Sequence, residues 1–211
     1  MVDGQLTHPG RHIVAVDLDG TIIAGNTLRI YIAEGLRIMA RRNPMRAAAI
    51  ATLVALRKLR FISHRRMKFA ALKRIKPDDV LRERFIRRFD SLRRPEVAEI
   101  LDRYRHEGAT ILLATAAADI YIPWIWNEPY VATPTADNPE RIECRGQAKM
   151  LAVKRFMQSD DILEAVITDH ADDLALLSAG AVTNYLVDPD THTLNAVKMA
   201  GIEARLIASR H

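Results

Sequence analysis

The chain has 211 residues, 49% of them hydrophobic, enough apolar surface for a packed core and too much for wholesale disorder. Its one cysteine, Cys144, excludes an intramolecular disulfide and a multi-cysteine zinc site; with no run near the roughly 18 apolar residues of a membrane span and no apolar leader in Met1 to Arg11, a cytoplasmic protein is expected. The net charge of +5 divides unevenly: Arg29 to Arg94 holds 20 Lys/Arg against 5 Asp/Glu, a balance of +15, and the rest holds 11 against 21, a balance of −10.

In chain order, His12 to Val16 is a short β-branched run that stops at Asp17 and a Gly20 turn, the pattern of a buried parallel strand. From residue 24 to 94 no strand pattern appears. Ile32, Leu36 and Met39 share one helical face, and Leu81, Phe85, Phe89 and Leu92 share another, so this basic segment is expected to be an all-helical insert. Pro95 begins a further helix, with Val97, Ile100, Leu101 and Tyr104 at i, i+3, i+4, i+7 and Gly108 as its stop. Thr110 to Ala114 and Ala165 to Ile167 repeat the apolar-strand design, and Ala181-Val182 with Tyr185 to Val187 marks a fourth. Helices are expected over 149–157 and 172–179. Alternating strand and helix predicts an α/β fold, a doubly wound parallel sheet with an all-helical cap. The core spans 1–23 and 95–211, and the cap spans 24–94.

Asp17-Leu18-Asp19-Gly20-Thr21 places two carboxylates two residues apart at the carboxyl end of the first strand. Alone, it reads equally well as an ordinary Asp/Gly turn. Three more positions strengthen it: Thr115 ends the second strand, Lys149 opens the helix before the third, and Asp169 and Asp173 follow that strand at a spacing of four. In this order the motifs resemble the haloacid dehalogenase superfamily, with Thr168-Asp169-His170-Ala171-Asp172-Asp173 as its acidic fourth motif. An insert directly after the first motif is similar to the helical cap of phosphoserine phosphatase relatives.

The resemblance implies a phosphatase that passes phosphate through Asp17 as an aspartyl-phosphate. Asp19 would protonate the leaving oxygen and then activate water, Thr115 would hydrogen-bond the phosphoryl group, and Lys149 would add positive charge. It also implies a magnesium cofactor, Mg2+, in a metal site drawn from Asp17, Leu18 through its carbonyl, Asp19, Asp169 and Asp173. Asp173 would support the metal or orient Lys149, with Asp172 as the rival. The second aspartate argues against carbon–halogen cleavage, because halide leaves without a proton. An aspartate near its ordinary pKa of roughly 3.9 is a poor nucleophile toward an anion, so nearby positive charge is a physical requirement as well.

Three departures from phosphoserine phosphatases stand out. Asn26 replaces a glutamate nine residues after the nucleophile, Ala116-Ala117 replaces glycines after the second motif, and Thr168-Asp169-His170 replaces Gly-Asp-Ser. They weaken phosphoserine as substrate and leave a small phosphorylated metabolite or a lipid-linked phosphate. In the cap, Arg46 and Arg57-Lys58 bracket ten uncharged residues, Ala47 to Leu56. That pattern is either an ordinary cap with solvated arginines or a surface for peripheral contact with an anionic membrane. No nucleic acid partner is expected, since aromatic residues do not interleave with the cations. His64, His106 and His170 lack metal-ligand spacing, Trp124 and Trp126 read as packing or oligomer contacts, and Lys154 reads as a solvated helix lysine. The alternatives are a phosphotransferase or mutase of the same superfamily, and a non-catalytic protein that binds anionic surfaces.

Overall fold

The computed structural model describes residues 10–209. The reading of a leaderless N-terminus falls mostly outside them. Six strands form one sheet: β1 (His12–Val16), β2 (Thr110–Ala118), β3 (Tyr130–Thr133), β4 (Ile162–Thr168), β5 (Thr183–Val187) and β6 (Arg205–Ile207). All neighbours pair in parallel, in the order β3-β2-β1-β4-β5-β6. This is the doubly wound arrangement. The chain runs outward one way through β2 and β3 and the other way through β4 to β6, so the switch point falls between β1 and β4.

Alternation along the central strands explains their unbroken apolar runs. Val14 and Val16 join Ile111, Leu113, Ala165 and Ile167 in one buried layer, while Ile13 and Ala15 join Leu112, Ala114 and Val166 in the other. Both sheet faces are covered, so a polar residue has no tolerable place in the middle. The helices on the flanks are α5 (Pro95–His106), α6 (Gln147–Phe156), the short α7 (Leu174–Leu177) and α8 (Thr191–Met199).

Between β1 and α5 lie four helices and no named strand: α1 (Thr27–Arg42), α2 (Pro44–Lys58), α3 (His64–Arg74) and α4 (Asp79–Asp90). Each starts at a side-chain cap. Asn26, Asn43, Ser63 and Asp78 accept the N–H groups of Arg29, Arg46, Arg66 and Leu81, satisfying donors that a helix start leaves open. Where the segment leaves and rejoins the core, Ile23 bridges to Arg93. An aromatic cluster fixes α1 and α4 there. Tyr31 and Phe85 meet Tyr121 and Trp124, from the 3₁₀ turn after β2, at centroid separations of 5.1 to 6.0 Å. Trp124 is therefore a packing residue.

Sequence patterns miss β3, β6 and α8. The two strands are the sheet's edges, four and three residues long, with none of the continuous apolar character of a doubly covered strand. Among the described residues, no helix is long and apolar enough to cross a membrane.

Candidate active site

The carboxyl ends of β1, β2 and β4 and the first turn of α6 converge on a cleft of about 270 Å³. It is lined by Asp17, Asp19, Thr115, Lys149, Asp169 and Asp173, six of the seven residues singled out from the sequence. Asp17 is the first residue past β1, and its N–H donates to the carbonyl of Ile167 on β4 at 2.9 Å. The nucleophile candidate thus sits beside the switch point.

Lys149 is the hinge of the electrostatics. Its Nζ, almost wholly buried, donates to Asp17 Oδ1 at 2.8 Å and to Asp173 Oδ2 at 2.7 Å. Burial works against its charge, but the two carboxylates outweigh burial and push its pKa up. Asp173 also accepts from Thr168 Oγ1 at 2.7 Å, so it fixes Lys149 from behind. Asp172 also lines the cleft, but its carboxylate pairs with Arg145 and meets His170 Nδ1 at 3.0 Å, not Lys149. Lys154 is exposed and takes no part. For Asp17, burial is the largest influence and raises the pKa; Lys149 opposes it, and Asp173 and Asp169 reinforce it.

Asp19 faces the start of α1. Its Oδ1 accepts from the Thr27 N–H at 2.7 Å and its Oδ2 from Asn26 Nδ2 at 3.0 Å. Burial raises its pKa to about 6 against the pull of the Thr27 donors. The carboxylate is therefore oriented by a helix N-terminus yet close to protonation, as a proton carrier requires. Asn26 caps α1 and steers Asp19 at once, so the substitution for glutamate has a local structural use.

Thr115 is buried at β2, with its Oγ1 accepting the Ala117 N–H at 3.0 Å, which leaves the hydroxyl proton free to donate. Asp169 accepts from Thr21 Oγ1 at 3.3 Å, and burial pushes its pKa up. Close approach of the two loops depends on Gly20, at φ +88°, where an added Cβ would lie 2.0 Å from Asp169 Oδ2. Leu18 is the residue that the fold does not bring to the cleft. It is fully buried, and its carbonyl accepts from Ile22 and Ile23 at 3.0 and 3.2 Å, because the turn after Asp17 folds back on it.

Among the described residues, five aspartates line this cleft; Arg145 answers Asp172, and the other four face Lys149 and one other buried cation, Lys68, whose charge Glu143 already answers. Asp173 Oδ1 is buried with no hydrogen-bond partner among the described residues. Excess buried negative charge and an unanswered oxygen fit a hard divalent cation. Among the described residues no group of three His, Cys, Asp or Glu forms a metal cage by itself.

Lys68 is the functional candidate that sequence reasoning passed over. From α3 it reaches into the cleft and donates to the Ala116 carbonyl at 2.7 Å and to Glu143 Oε1 at 2.6 Å. Its signal is its place on a buried stripe, with Ala71, Leu72 and Ile75 at i+3, i+4 and i+7. His64, His170 and Arg145 also line the cleft mouth.

The family model described as haloacid dehalogenase-like hydrolase matches residues 14–178. Among solved structures, the chain is similar to a protein of unknown function from Bordetella pertussis Tohama I, with a TM-score of 0.72, 15% identity, and 94% of this chain and 98% of that one covered. An apo phosphoserine phosphatase follows at a TM-score of 0.60 and 12% identity, covering 95% of this chain and 94% of that one. A HAD family hydrolase from Salmonella enterica serovar Typhi gives 0.55 and 16%, covering 95% and 68%. At such identities the likeness is one of fold. No curated protein matches the chain.

Proposed function

We propose that this chain, which belongs to the haloacid dehalogenase-like hydrolase family, is a Mg2+-dependent phosphatase acting on a phosphate monoester through an aspartyl-phosphate on Asp17. The observation that carries this reading is the buried Lys149 ammonium, held 2.8 Å from Asp17 and 2.7 Å from Asp173. It holds Asp17 in one orientation and supplies fixed positive charge where a phosphoryl group would arrive.

In the first step an Asp17 oxygen bonds to phosphorus while the bond to the leaving oxygen breaks, and Asp19 gives that oxygen a proton. In the second, Asp19 takes a proton from water, whose oxygen bonds to phosphorus as the bond to Asp17 breaks, releasing inorganic phosphate. The Thr115 hydroxyl donates to the transferring group. The carboxylates of Asp17 and Asp169 would hold Mg2+, with Asp173 behind them; when bound, it offsets the charge of the cleft and of the phosphate. Residues 24–94 act as the cap over a core of 1–23 and 95–211. Cys144 is buried, and burial pushes its thiol up to about 11, so little thiolate is present at neutral pH; the setting we propose is cytoplasmic.

The outer end of the cap supports peripheral contact with an anionic membrane. Leu59 and Phe61 are 65% and 75% exposed at the α2–α3 turn, beside Arg57, Lys58 and Arg60.

The decisive experiment measures inorganic phosphate released from phenyl phosphate with Mg2+, then with EDTA. Release that stops with EDTA is expected. Phosphate transferred to an added alcohol without net release would point to a phosphotransferase, and no turnover on any ester would sink the catalytic reading.

A further inference from the structure

A second and larger concavity, about 780 Å³, lies between α1, α2 and α3. It adjoins the catalytic cleft, and Asn26, Leu28 and His64 belong to the walls of both. The cleft, at about 270 Å³, is below the roughly 300–1,000 Å³ typical of sites that enclose a whole small molecule. The rest of a sizeable phosphate ester needs space outside the cleft, and the groove offers it directly past Leu28 and His64.

The groove has a consistent chemistry. Leu28, Ile32 and Leu36 stand at i, i+4 and i+8 of α1 and make an apolar stripe about 12 Å long at 1.5 Å per residue. Val54 of α2 and Met67 of α3 face into the same space. The remaining wall is cationic: Arg29, Arg57, Lys58 and Arg60, none with an ion-pair partner among the described residues. Asn26 is its one neutral amide. Hydrogen-bond donors are confined to the cationic side, Asn26 and His64, with no carboxylate among the described residues to receive an amine, whereas an aliphatic chain would find a continuous apolar surface along α1.

We propose that the substrate is an amphiphilic phosphate monoester: its phosphate sits at Asp17 and its aliphatic chain lies along the α1 stripe, leaving past the cationic rim. The assignment rests on the phosphatase reading for where the phosphate goes, and the groove supplies the class of the leaving group. The rim cations then face any anionic surface from which such a chain is drawn, and the exposed Leu59 and Phe61 lie beside them.

The test is calorimetric titration with ethyl-, hexyl- and decylphosphonate in Mg2+, below their micellar concentrations. Their P–C bond is not hydrolysed, so binding is read whether or not the enzyme turns over. Each buried methylene contributes roughly a threefold to fourfold gain, and with partial burial the decyl compound should bind at least about 100-fold more tightly than the ethyl. Val54→Glu, at a position 37% exposed and so tolerant of the change, should cut that decyl-to-ethyl ratio about tenfold. Met45→Glu, outside the groove and 84% exposed, should leave it alone. A ratio within about threefold, a ratio indifferent to Val54→Glu, or no binding of any phosphonate overturns the proposal. Phosphate release from phenyl phosphate, measured in parallel, reports on the phosphatase reading alone. Decyl phosphate turned over as monomer, or only within phosphatidylcholine vesicles, supports the assignment and identifies the source of the chain. Decyl phosphate inert in both forms, with phenyl phosphate hydrolysed, refutes it.

Discussion

The catalytic cleft and the outer cap carry their charges in opposite ways. In the cleft, Lys149 and Lys68 are almost wholly buried and each sits within 2.8 Å of a carboxylate oxygen. At the outer end of the cap, Arg57, Lys58 and Arg60 are exposed and have no ion-pair partner among the described residues. A buried charge interacts strongly over a few ångströms, whereas an exposed one is screened beyond a Debye length of about 8 Å at physiological salt. The same charge therefore shapes chemistry and stability in one region and encounter with a partner in the other. The large positive balance of the cap is a poor guide to where its one chemically placed cation, Lys68, stands.

This contrast can be broken most severely at Asp17. Asp17→Asn should lower phosphate release by at least about 10³-fold, because the amide cannot form the phosphorylated intermediate. Thermal denaturation should show the fold retained, since the change is nearly isosteric. If the variant keeps substantial turnover, phosphate does not pass through this residue.

Asp19→Ala comes next, with an expected loss of roughly 10²–10⁴ in rate on an alkyl phosphate. The deficit should shrink on an aryl phosphate, whose leaving oxygen needs less protonation. Equal losses on both esters would mean that Asp19 positions the site and does not carry the proton.

Stability sharpens the comparison further. Lys68→Met removes the partner of Glu143 and of the Ala116 carbonyl, and should cost about 1–3 kcal/mol in urea unfolding. Arg60→Ala should change stability by no more than about 0.5 kcal/mol. Comparable effects at the two positions would erase the distinction between buried and solvated charge.

The smallest effect concerns the outer cations themselves. Co-sedimentation with anionic vesicles should exceed that with neutral ones at low salt and fade as salt rises. The combined substitution Arg57→Glu, Lys58→Glu and Arg60→Glu should abolish the preference, given roughly 1 kcal/mol for each basic residue near such a surface. Equal sedimentation with both vesicle types at low salt would leave these residues as solubilising groups.

How much of this was legible in the sequence follows from burial. β1, β2 and β4 announced themselves because strands covered on both faces cannot carry polar residues. β3 and β6, at the sheet edges, had no such obligation. Asp17, Thr115 and Asp169 could be collected because a parallel sheet gathers the ends of its strands, and Lys149 joined them from the start of a helix, through the resemblance to the family's motif order. Asp173 could be preferred to its neighbour Asp172 because the spacing of the family's fourth motif, which the sequence resembles, selects it, and Asp173 does turn inward to Lys149. Lys68 could not be told apart by charge among 20 Lys/Arg, and only its apolar neighbours at i+3, i+4 and i+7 marked it. Leu18 shows the opposite limit: the resemblance offered its carbonyl to the metal, and only the folded chain shows that Ile22 and Ile23 turn back to take that carbonyl.

Gly20 has a consequence for how this protein can vary. Even alanine at this position would meet two separate obstacles, a left-handed backbone at φ +88° and an Asp169 oxygen 2.0 Å from the new carbon. Relieving the first by reshaping the turn would shift Asp17 and Asp19, and relieving the second would turn the Asp169 carboxylate away from its place beside Thr21. Mutational drift can alter the groove and the rim of the cap one residue at a time and so change what the protein acts on. At Gly20 it has nowhere to go without dismantling the cleft.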